Sequence, residues 1–497
     1  MLSLLAGEGT ALVAPGLRLS RAELRAASRR FAARLHALGF RRGDRLAVWL
    51  PDGAGWLQCL FACAQLGVLV VPISTRFTTA EARRVLGVAE PRGLVVPDHF
   101  LKTDFAAAAQ ELAAETPGLH VLVGPPHGLL EGSDGEAPGT GDAGDLLCTF
   151  STSGTTGVPK LAPHDQASIK RHAQNVAAYF DMQGGVALGA LPLYGVLGFM
   201  QAMAVLAAGG TLVSVPVYDP IACARAIDAE RVTHFFGSDQ MFDAVLGVPG
   251  ASLASWRIGG YADFVGWAAR VAEAGDARGI RLFGLYGSSE GFSLLAGRDW
   301  RAPLAQRIPA GGTPVSPDIR FRVCHPETGA VLPQGEPGEL QLQGYNLLQQ
   351  YLNNPSATAA AFTRDGWFRS GDLAVDEGGS FLYLARLKDS LRLRGYLVDP
   401  GEIESHLAAH PAVAQAQVVG VSLPGQGDAA VAFVILAEAA EEAALLQHCR
   451  AGLAAYKQPK RVLAVAEFPA NNGPNGVKIL KNKLRDMAEA ALKDPAA

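Results

Sequence analysis

The sequence has no apolar run approaching the ~20 residues a membrane-spanning helix needs. The segment Leu66 to Ile73 is apolar but has only the length of a buried strand. The start, Met1-Leu2-Ser3-Leu4-Leu5, lacks a basic n-region and is soon interrupted by Gly7 and Gly9, so no signal peptide is expected. Charge is also scarce. Charged residues make up 18 % and the net charge is -4, which excludes the basic footprint of a nucleic-acid binder. The six cysteines are scattered, and only Cys59 and Cys63 are close. No nearby His or Cys completes a zinc set. They are expected to be small buried hydrophobes in a reducing, cytoplasmic protein. Peripheral membrane contact is left open.

What is present is ample apolar material. With 49 % hydrophobic residues in 497, the chain is too long for one core and calls for at least two domains. Ser20 to Leu38 has helical spacing at Leu24, Phe31, Leu35 and Leu38, with Ser20 as cap and Glu23 at the capping-box position. A strand (Arg45 to Leu50), a helix (Gly55 to Leu66), a strand (Val68 to Pro72), a helix (Thr79 to Leu86) and a strand (Gly93 to Val96) follow. That βαβ rhythm predicts a parallel sheet. Glu131 to Asp145, rich in Gly, Asp and Glu, is expected to be a solvent loop. The rhythm then resumes: helix 168–180, strand 186–191, a loop Pro192 to Phe199, helix 200–208, strand 211–215, helix 221–230 and strand Thr233 to Gly237. From Phe321 the pattern turns to antiparallel strands. The tail carries its own α+β set, with helices at 401–410, 439–451 and after Lys478, and strands at 413–419 and 429–436. The expected fold is thus a large N-terminal α/β domain with parallel sheets and a β-rich subdomain, residues 1–387, plus a small α+β domain, residues 388–497.

The richest local signal is Thr149-Phe150-Ser151-Thr152-Ser153-Gly154-Thr155-Thr156-Gly157-Val158-Pro159-Lys160. An apolar strand delivers a run of hydroxyl and glycine residues: little side-chain bulk, many N–H and O–H donors, and a lysine at the exit. Those are the needs of a polyphosphate approached by main chain. No Gly-Lys-Ser or Gly-Lys-Thr follows, so the loop of the common NTPases is absent. Downstream, Tyr286-Gly287-Ser288-Ser289-Glu290 follows the apolar run Ile280 to Leu285, at the carboxyl end of a strand where ligands of α/β sheets sit. Tyr286 can stack on a flat base, Ser289 can donate to a phosphate oxygen, and Glu290 is a hard oxygen ligand suited to Mg²⁺. In Trp367-Phe368-Arg369-Ser370-Gly371-Asp372-Leu373, the Asp372 carboxylate can accept both hydroxyls of a ribose.

These motifs, in this order, resemble the adenylate-forming superfamily: acyl-CoA synthetases, luciferases and the adenylation domains of peptide synthetases. The resemblance runs from about Ser20 to Arg485. It implies that Thr152, Ser153, Gly154, Thr155, Thr156 and Lys160 hold the phosphates of ATP, that Tyr286 meets adenine, that Asp372 takes the ribose and that Glu290 holds Mg²⁺. Arg386-Leu387-Lys388-Asp389-Ser390 is similar to the family hinge, with Arg386 on ribose or phosphate and Lys388 taking the rotation of a mobile small domain. Ala385 stands where Gly or Asp is usual. The Gly395 segment resembles the surface that lines the thiol entry in the second pose. Lys478, in Asn475-Gly476-Val477-Lys478-Ile479, matches the family's catalytic lysine, whose point charge bridges substrate carboxylate and α-phosphate.

The substrate pocket is expected from Tyr194, Gly195, Phe199, Gly259, Tyr261, Gly287 and Phe292. Gly195 stands where the family often has His, so gating by an imidazole is absent. No Asp lies between Pro192 and Gln201, which disfavours an amino acid substrate. Asp239 departs from the usual pattern without an evident reason. The implied activity is ATP-dependent activation of a fatty or aryl acid, with catalytic roles for Lys478, Glu290 and Ser289, and transfer to coenzyme A. Two alternatives stay open: loading of a carrier-protein thiol, and a non-catalytic sensor on the same fold. The acid's identity and the oligomeric state, a homodimer included, are not given by sequence.

Overall fold

The computed structural model describes residues 1–152, 159–264, 266–393, 396–423, 427–473 and 476–493. The large N-terminal part is built on three sheets. The first carries, in spatial order, strands Val186–Gly189, Thr211–Ser214, Thr10–Ala14 and Leu17–Ser20. The second runs Lys160–Asp165, Leu146–Thr152, Leu69–Pro72, Arg45–Val48, Gly93–Pro97 and His120–Gly124; all its neighbours pair parallel except the first two. The third begins parallel, with Gly237–Ser238, Ile258–Ala262 and Arg281–Tyr286, and continues antiparallel to Phe381–Arg386, Phe368–Asp376, Pro337–Gln343 and Arg320–Cys324. Helices cover the parallel portions, as buried parallel strands require.

The helix Arg21–Ala37 starts as its sequence dictates. Glu23 N–H donates to the Ser20 hydroxyl at 3.1 Å, and the Ser20 N–H donates to the Glu23 carboxylate at 2.8 Å. Helix Ala54–Leu66 is apolar on nearly every side and accordingly buried, with Trp56, Leu57, Leu60 and Phe61 in the main core. Cys59 and Cys63 lie on it; all six cysteines are free and buried. Among the described residues, no helix is long and apolar enough to cross a membrane.

Three expectations need correction. Pro192 to Phe199 is not loop throughout, because the next helix, Val196–Ala207, begins with Gly195 as its cap residue. Thr233 to Gly237 is not a continuous strand. His234 makes single parallel bridges to Ala187 and Ile258, tying the first sheet to the third. And a strand, Lys160–Asp165, follows the hydroxyl-rich loop where none was expected. It holds Pro163, which cannot donate, and it lies at the sheet edge where that is tolerated.

The third sheet ends at Phe381–Arg386, a 3₁₀ turn spans Leu387–Asp389, and a new sheet starts at Leu391. That sheet is framed by the long antiparallel pair Val413–Leu423 and Gly427–Leu436. Its two faces form separate cores. One packs Ile403, Leu407, Val418, Leu445 and Val462, and the other Val419, Phe433, Leu484 and Ala488. The result is a bilobal chain, a large α/β part with a small α+β part.

Candidate active site

The hydroxyl-rich loop joins antiparallel neighbours, with Thr152 opposite Lys160 across the ladder. Ser153, Gly154, Thr155 and Thr156 lie outside the described residues, as does Gly395. Lys160, where the second strand opens, places its ammonium 5.1 Å from the centre of the Tyr351 ring.

Strand Arg281–Tyr286 aims its carboxyl end at the same region. The turn after it is held from outside, one carbonyl after another. His164 donates from Nε2 to the Ser289 carbonyl (2.8 Å), the Leu348 N–H to that of Glu290 (2.8 Å), the Asn346 amide to that of Gly291 (2.5 Å) and His172 Nε2 to that of Ser293 (3.0 Å). Phe292 and Leu294 sit at φ 59° and 57°, a left-handed backbone that side chains rarely adopt. The Phe292 ring offsets that strain. It is stacked between His164, 3.8 Å between centres, and His172, 5.3 Å. Burial holds both imidazoles down to about 4, so they are neutral and each keeps one fixed tautomer. Glu290 is thereby presented on a rigid turn.

Gly287 has a steric duty in this turn. A Cβ there would lie 2.4 Å from the Ser293 Cα.

On the neighbouring antiparallel strands, Asp372 and Arg386 stand directly opposite one another. The Arg386 guanidinium comes to 2.9 Å from Asp372 Oδ1, and the Tyr286 hydroxyl donates to Oδ2 at 2.5 Å. Among the described residues Oδ1 has no well-aligned hydrogen-bond donor besides this ion-pair contact. Burial pushes the Asp372 carboxyl upward while Arg386 and Tyr286 pull it back toward the charged form. An acceptor of this kind beside an exposed arginine suits a sugar hydroxyl. The Tyr286 ring itself packs edge-on against Phe381, 5.1 Å between centres, with Tyr383 at 5.7 Å.

The pocket candidates divide. Tyr194 and Gly195 are partly exposed on the loop that precedes Val196–Ala207, and that loop is held by Asp52, whose carboxylate accepts the Leu193 N–H at 2.8 Å. Phe199 is wholly buried between Trp56 and Phe150, so it forms a wall behind the site. Gly259 is packed in its strand, where a Cβ would meet the Phe235 carbonyl at 2.9 Å. Tyr261 is buried and donates to the Ile308 carbonyl at 2.9 Å. Asp239, unaccounted for by sequence, is fully buried at the start of helix Asp239–Leu246 and accepts N–H groups of Gln240, Phe264 and Trp267 at 2.9 to 3.2 Å. It fastens that helix to the turn after Ile258–Ala262.

Lys388 lies in the 3₁₀ turn between the lobes. Its carbonyl and the Asp389 carboxylate both receive the Arg485 guanidinium, at 3.4 and 2.6 Å. The Lys478 backbone is in a hairpin strand, Gly476–Ile479, opposite Asn471; its side chain is outside the described residues. Tyr351 escaped the sequence reading. Its hydroxyl donates to Glu290 Oε1 at 2.8 Å across 61 residues of sequence, a contact for which no local pattern exists.

A two-lobed chain with a hydroxyl-rich hairpin loop, a buried carboxylate acceptor and a lone carboxylate on a braced turn has the architecture of an adenylate-forming ligase. The chain belongs to the AMP-binding enzymes: residues 6–352 match that family, and residues 402–473 match the AMP-binding enzyme C-terminal domain. It is 34 % identical over 490 residues to a feruloyl-CoA synthase from Amycolatopsis sp, covering 96 % of this chain and 95 % of the relative. It is 28 % identical over 542 residues to a mitochondrial medium-chain acyl-CoA ligase from Danio rerio, covering 98 % and 86 %. The crystal structure of ATP-bound MatB from Rhodopseudomonas palustris superposes with a TM-score of 0.86 at 28 % identity over 99 % of both chains. Formation of an acyl-adenylate is the activity these relationships support.

Proposed function

We propose that this ligase activates a fatty or aryl carboxylic acid with ATP and then transfers the acyl group to the thiol of coenzyme A. The observation that carries the reading is the convergence, around the end of strand Arg281–Tyr286, of the Tyr286–Asp372–Arg386 cluster with Glu290 and Lys160. One relative is named for feruloyl-CoA and another for medium-chain acyl-CoA, which supports both the acid class and the acceptor.

In the first half-reaction a substrate carboxylate oxygen attacks the α-phosphorus of ATP. The bond to the β-phosphate oxygen breaks and pyrophosphate leaves. The acid enters as its anion, so no proton has to move and the protein supplies positioning and charge. In our assignment the loop from Thr152 to Thr156 with Lys160 binds the phosphates, Ser289 donates to a phosphate oxygen, Tyr286 and Gly259 to Tyr261 flank adenine, Asp372 accepts the ribose, and Lys478 meets the charge that builds between carboxylate and α-phosphate. In the second half-reaction the thiol sulfur attacks the acyl carbon, the bond to AMP breaks, and the thiol proton is lost to solvent. Rotation about Lys388 would exchange Lys478 for the Gly395 segment at the site. Tyr194, Gly195 and Gly287 are assigned to the acyl side; Phe292, expected there, is buried against His164 and His172 and supports the turn instead.

The donor set also bears on Mg²⁺. Among the described residues there is no group of three carboxylate, His or Cys side chains that could hold a resident ion. A single carboxylate, Glu290, fits a Mg²⁺ that arrives on nucleotide phosphates and keeps most of its water. When bound, that ion would neutralise phosphate charge.

The test is AMP release from Mg·ATP with a panel of fatty and aryl acids, with coenzyme A or a phosphopantetheinylated carrier protein as acceptor. Acid-dependent AMP with coenzyme A is the expected result. Release with the carrier protein alone would overturn the acceptor, and no pyrophosphate from any acid would overturn the catalytic reading.

A further inference from the structure

We propose that Tyr351 is a positioning residue that holds the Glu290 carboxylate and the Lys160 ammonium apart and each facing the nucleotide; this rests on the ligase reading above. The two charges touch different parts of one phenol. Glu290 Oε1 receives the hydroxyl at 2.8 Å, while Lys160 sits 5.1 Å from the ring centre, within cation–π range. Both approach the same side chain, Lys160 over the ring and Glu290 at its hydroxyl. Take the phenol away and an ammonium and a carboxylate would be free to collapse on one another, which would withdraw both from a bound triphosphate.

The phenol is itself fixed at both ends of its segment. The Leu348 N–H donates to the Glu290 carbonyl at 2.8 Å, and the Leu352 N–H donates to the Leu161 carbonyl, one residue past Lys160, at 2.9 Å. The Tyr351 N–H donates to the Thr358 hydroxyl at 3.0 Å, and that hydroxyl donates to the Asn354 carbonyl at 2.9 Å. Tyr351 is therefore stitched to the Glu290 turn on one side and to the strand leaving the phosphate loop on the other. Its single donor occupies Oε1 and leaves Oε2 as the oxygen to face a cation. Outer partners of this type orient a metal-binding carboxylate and change affinity by about 10- to 100-fold when lost.

The test compares wild type with Tyr351→Phe and Tyr351→Leu. Mn²⁺ binding in the presence of ATP is followed by electron paramagnetic resonance, without acid, and the Mg²⁺ dependence of acid-driven pyrophosphate exchange is measured separately. Tyr351→Phe keeps the ring and loses the hydroxyl. It should weaken Mn²⁺ binding about tenfold and raise the Mg²⁺ needed for half-maximal exchange in step, with the rate at saturating Mg²⁺ within about threefold of wild type. Tyr351→Leu should in addition raise the KM for ATP, as Lys160 loses its platform. If Tyr351→Phe matched wild type in both Mn²⁺ affinity and Mg²⁺ dependence, the proposal would fall; should the Leu variant not fold, the Phe variant alone decides. A wild-type protein that binds Mn²⁺ with ATP yet exchanges pyrophosphate with no acid would overturn the ligase reading, while the Mn²⁺ comparison would still judge Tyr351.

Discussion

Asp372 and Tyr286 share a hydrogen bond of 2.5 Å that joins the last parallel strand of the third sheet to its antiparallel half. One oxygen of the carboxylate is taken by the phenol. The other lies 2.9 Å from Arg386 and, among the described residues, has no well-aligned hydrogen-bond donor. The pair is thus a structural tie and, in the proposed assignment, half of a ribose-binding group.

Tyr286→Phe separates those duties. It strips the donor from a buried carboxylate oxygen, which should cost about 1–3 kcal/mol of stability. The freed oxygen leaves the carboxylate less fixed, so the KM for ATP should rise roughly tenfold, the size of one lost hydrogen bond. Denaturant unfolding and initial-rate kinetics check the two effects. Asp372→Ala should lose nucleotide affinity more severely, because Arg386 then has no counter-charge opposite it in the ladder.

Lys478→Ala should lower pyrophosphate exchange by about 10²–10³-fold, the loss of one transition-state donor worth roughly 3–4 kcal/mol. Thiol attack on acyl-AMP supplied from outside should proceed at close to the normal rate. Normal exchange by this variant would remove the lysine from the adenylation step.

Gly287→Ala tests geometry where no charge changes. The new methyl would fall 2.4 Å from the Ser293 Cα and 2.9 Å from the Leu294 N, both backbone atoms of the braced turn. Neither can yield by a rotamer change. The turn must open, and with it the seat of Glu290. Exchange should fall by at least about 100-fold, since displacing a catalytic group by about 1 Å costs that much. The melting temperature should drop as well.

How far these features can be read from sequence depends on their range. The Ser20–Glu23 capping box and the parallel strands before Pro97 are local or periodic signals, and they are found where residue types place them, whereas the change to antiparallel pairing, expected from Phe321, already begins with the short strands Ala296–Gly297 and Gly311–Pro314. Asp372 reads as a turn carboxylate in sequence but lies in strand Phe368–Asp376, and its side-chain bond to Tyr286, 86 residues away, joins strands that are not neighbours in the sheet. Tyr351 gives no local sign at all, because its partner Glu290 lies 61 residues away in sequence. Asp239 was odd for the same reason: two of its donors, Phe264 and Trp267, come from the turn after another strand. His164, on a strand, and His172, inside the next helix, share no sequence pattern; only the fold stacks both rings on Phe292. Pro163 hid the strand Lys160–Asp165, since proline argues against a strand unless the edge position is known.

Asp52 offers a pH-dependent test of how the Tyr194 loop is held. Burial pushes its carboxyl up from an ordinary value of 3.8 to about 7, against the pull of the Leu193 N–H. The native state therefore holds the proton more tightly than the unfolded chain does. Its contribution to stability is complete below about pH 4 and is lost as pH rises through about 7. A shift of this size corresponds to on the order of 4 kcal/mol. Asp52→Asn keeps an oxygen that can accept from Leu193 and never ionises. Relative to wild type, the variant should gain stability steadily from pH 4 to 7 and hold a constant advantage at pH 8. Guanidinium unfolding at several pH values, plotted as the difference between the two proteins, cancels every other titrating group. A flat difference would show that Asp52 carries its charge in the folded protein at no cost.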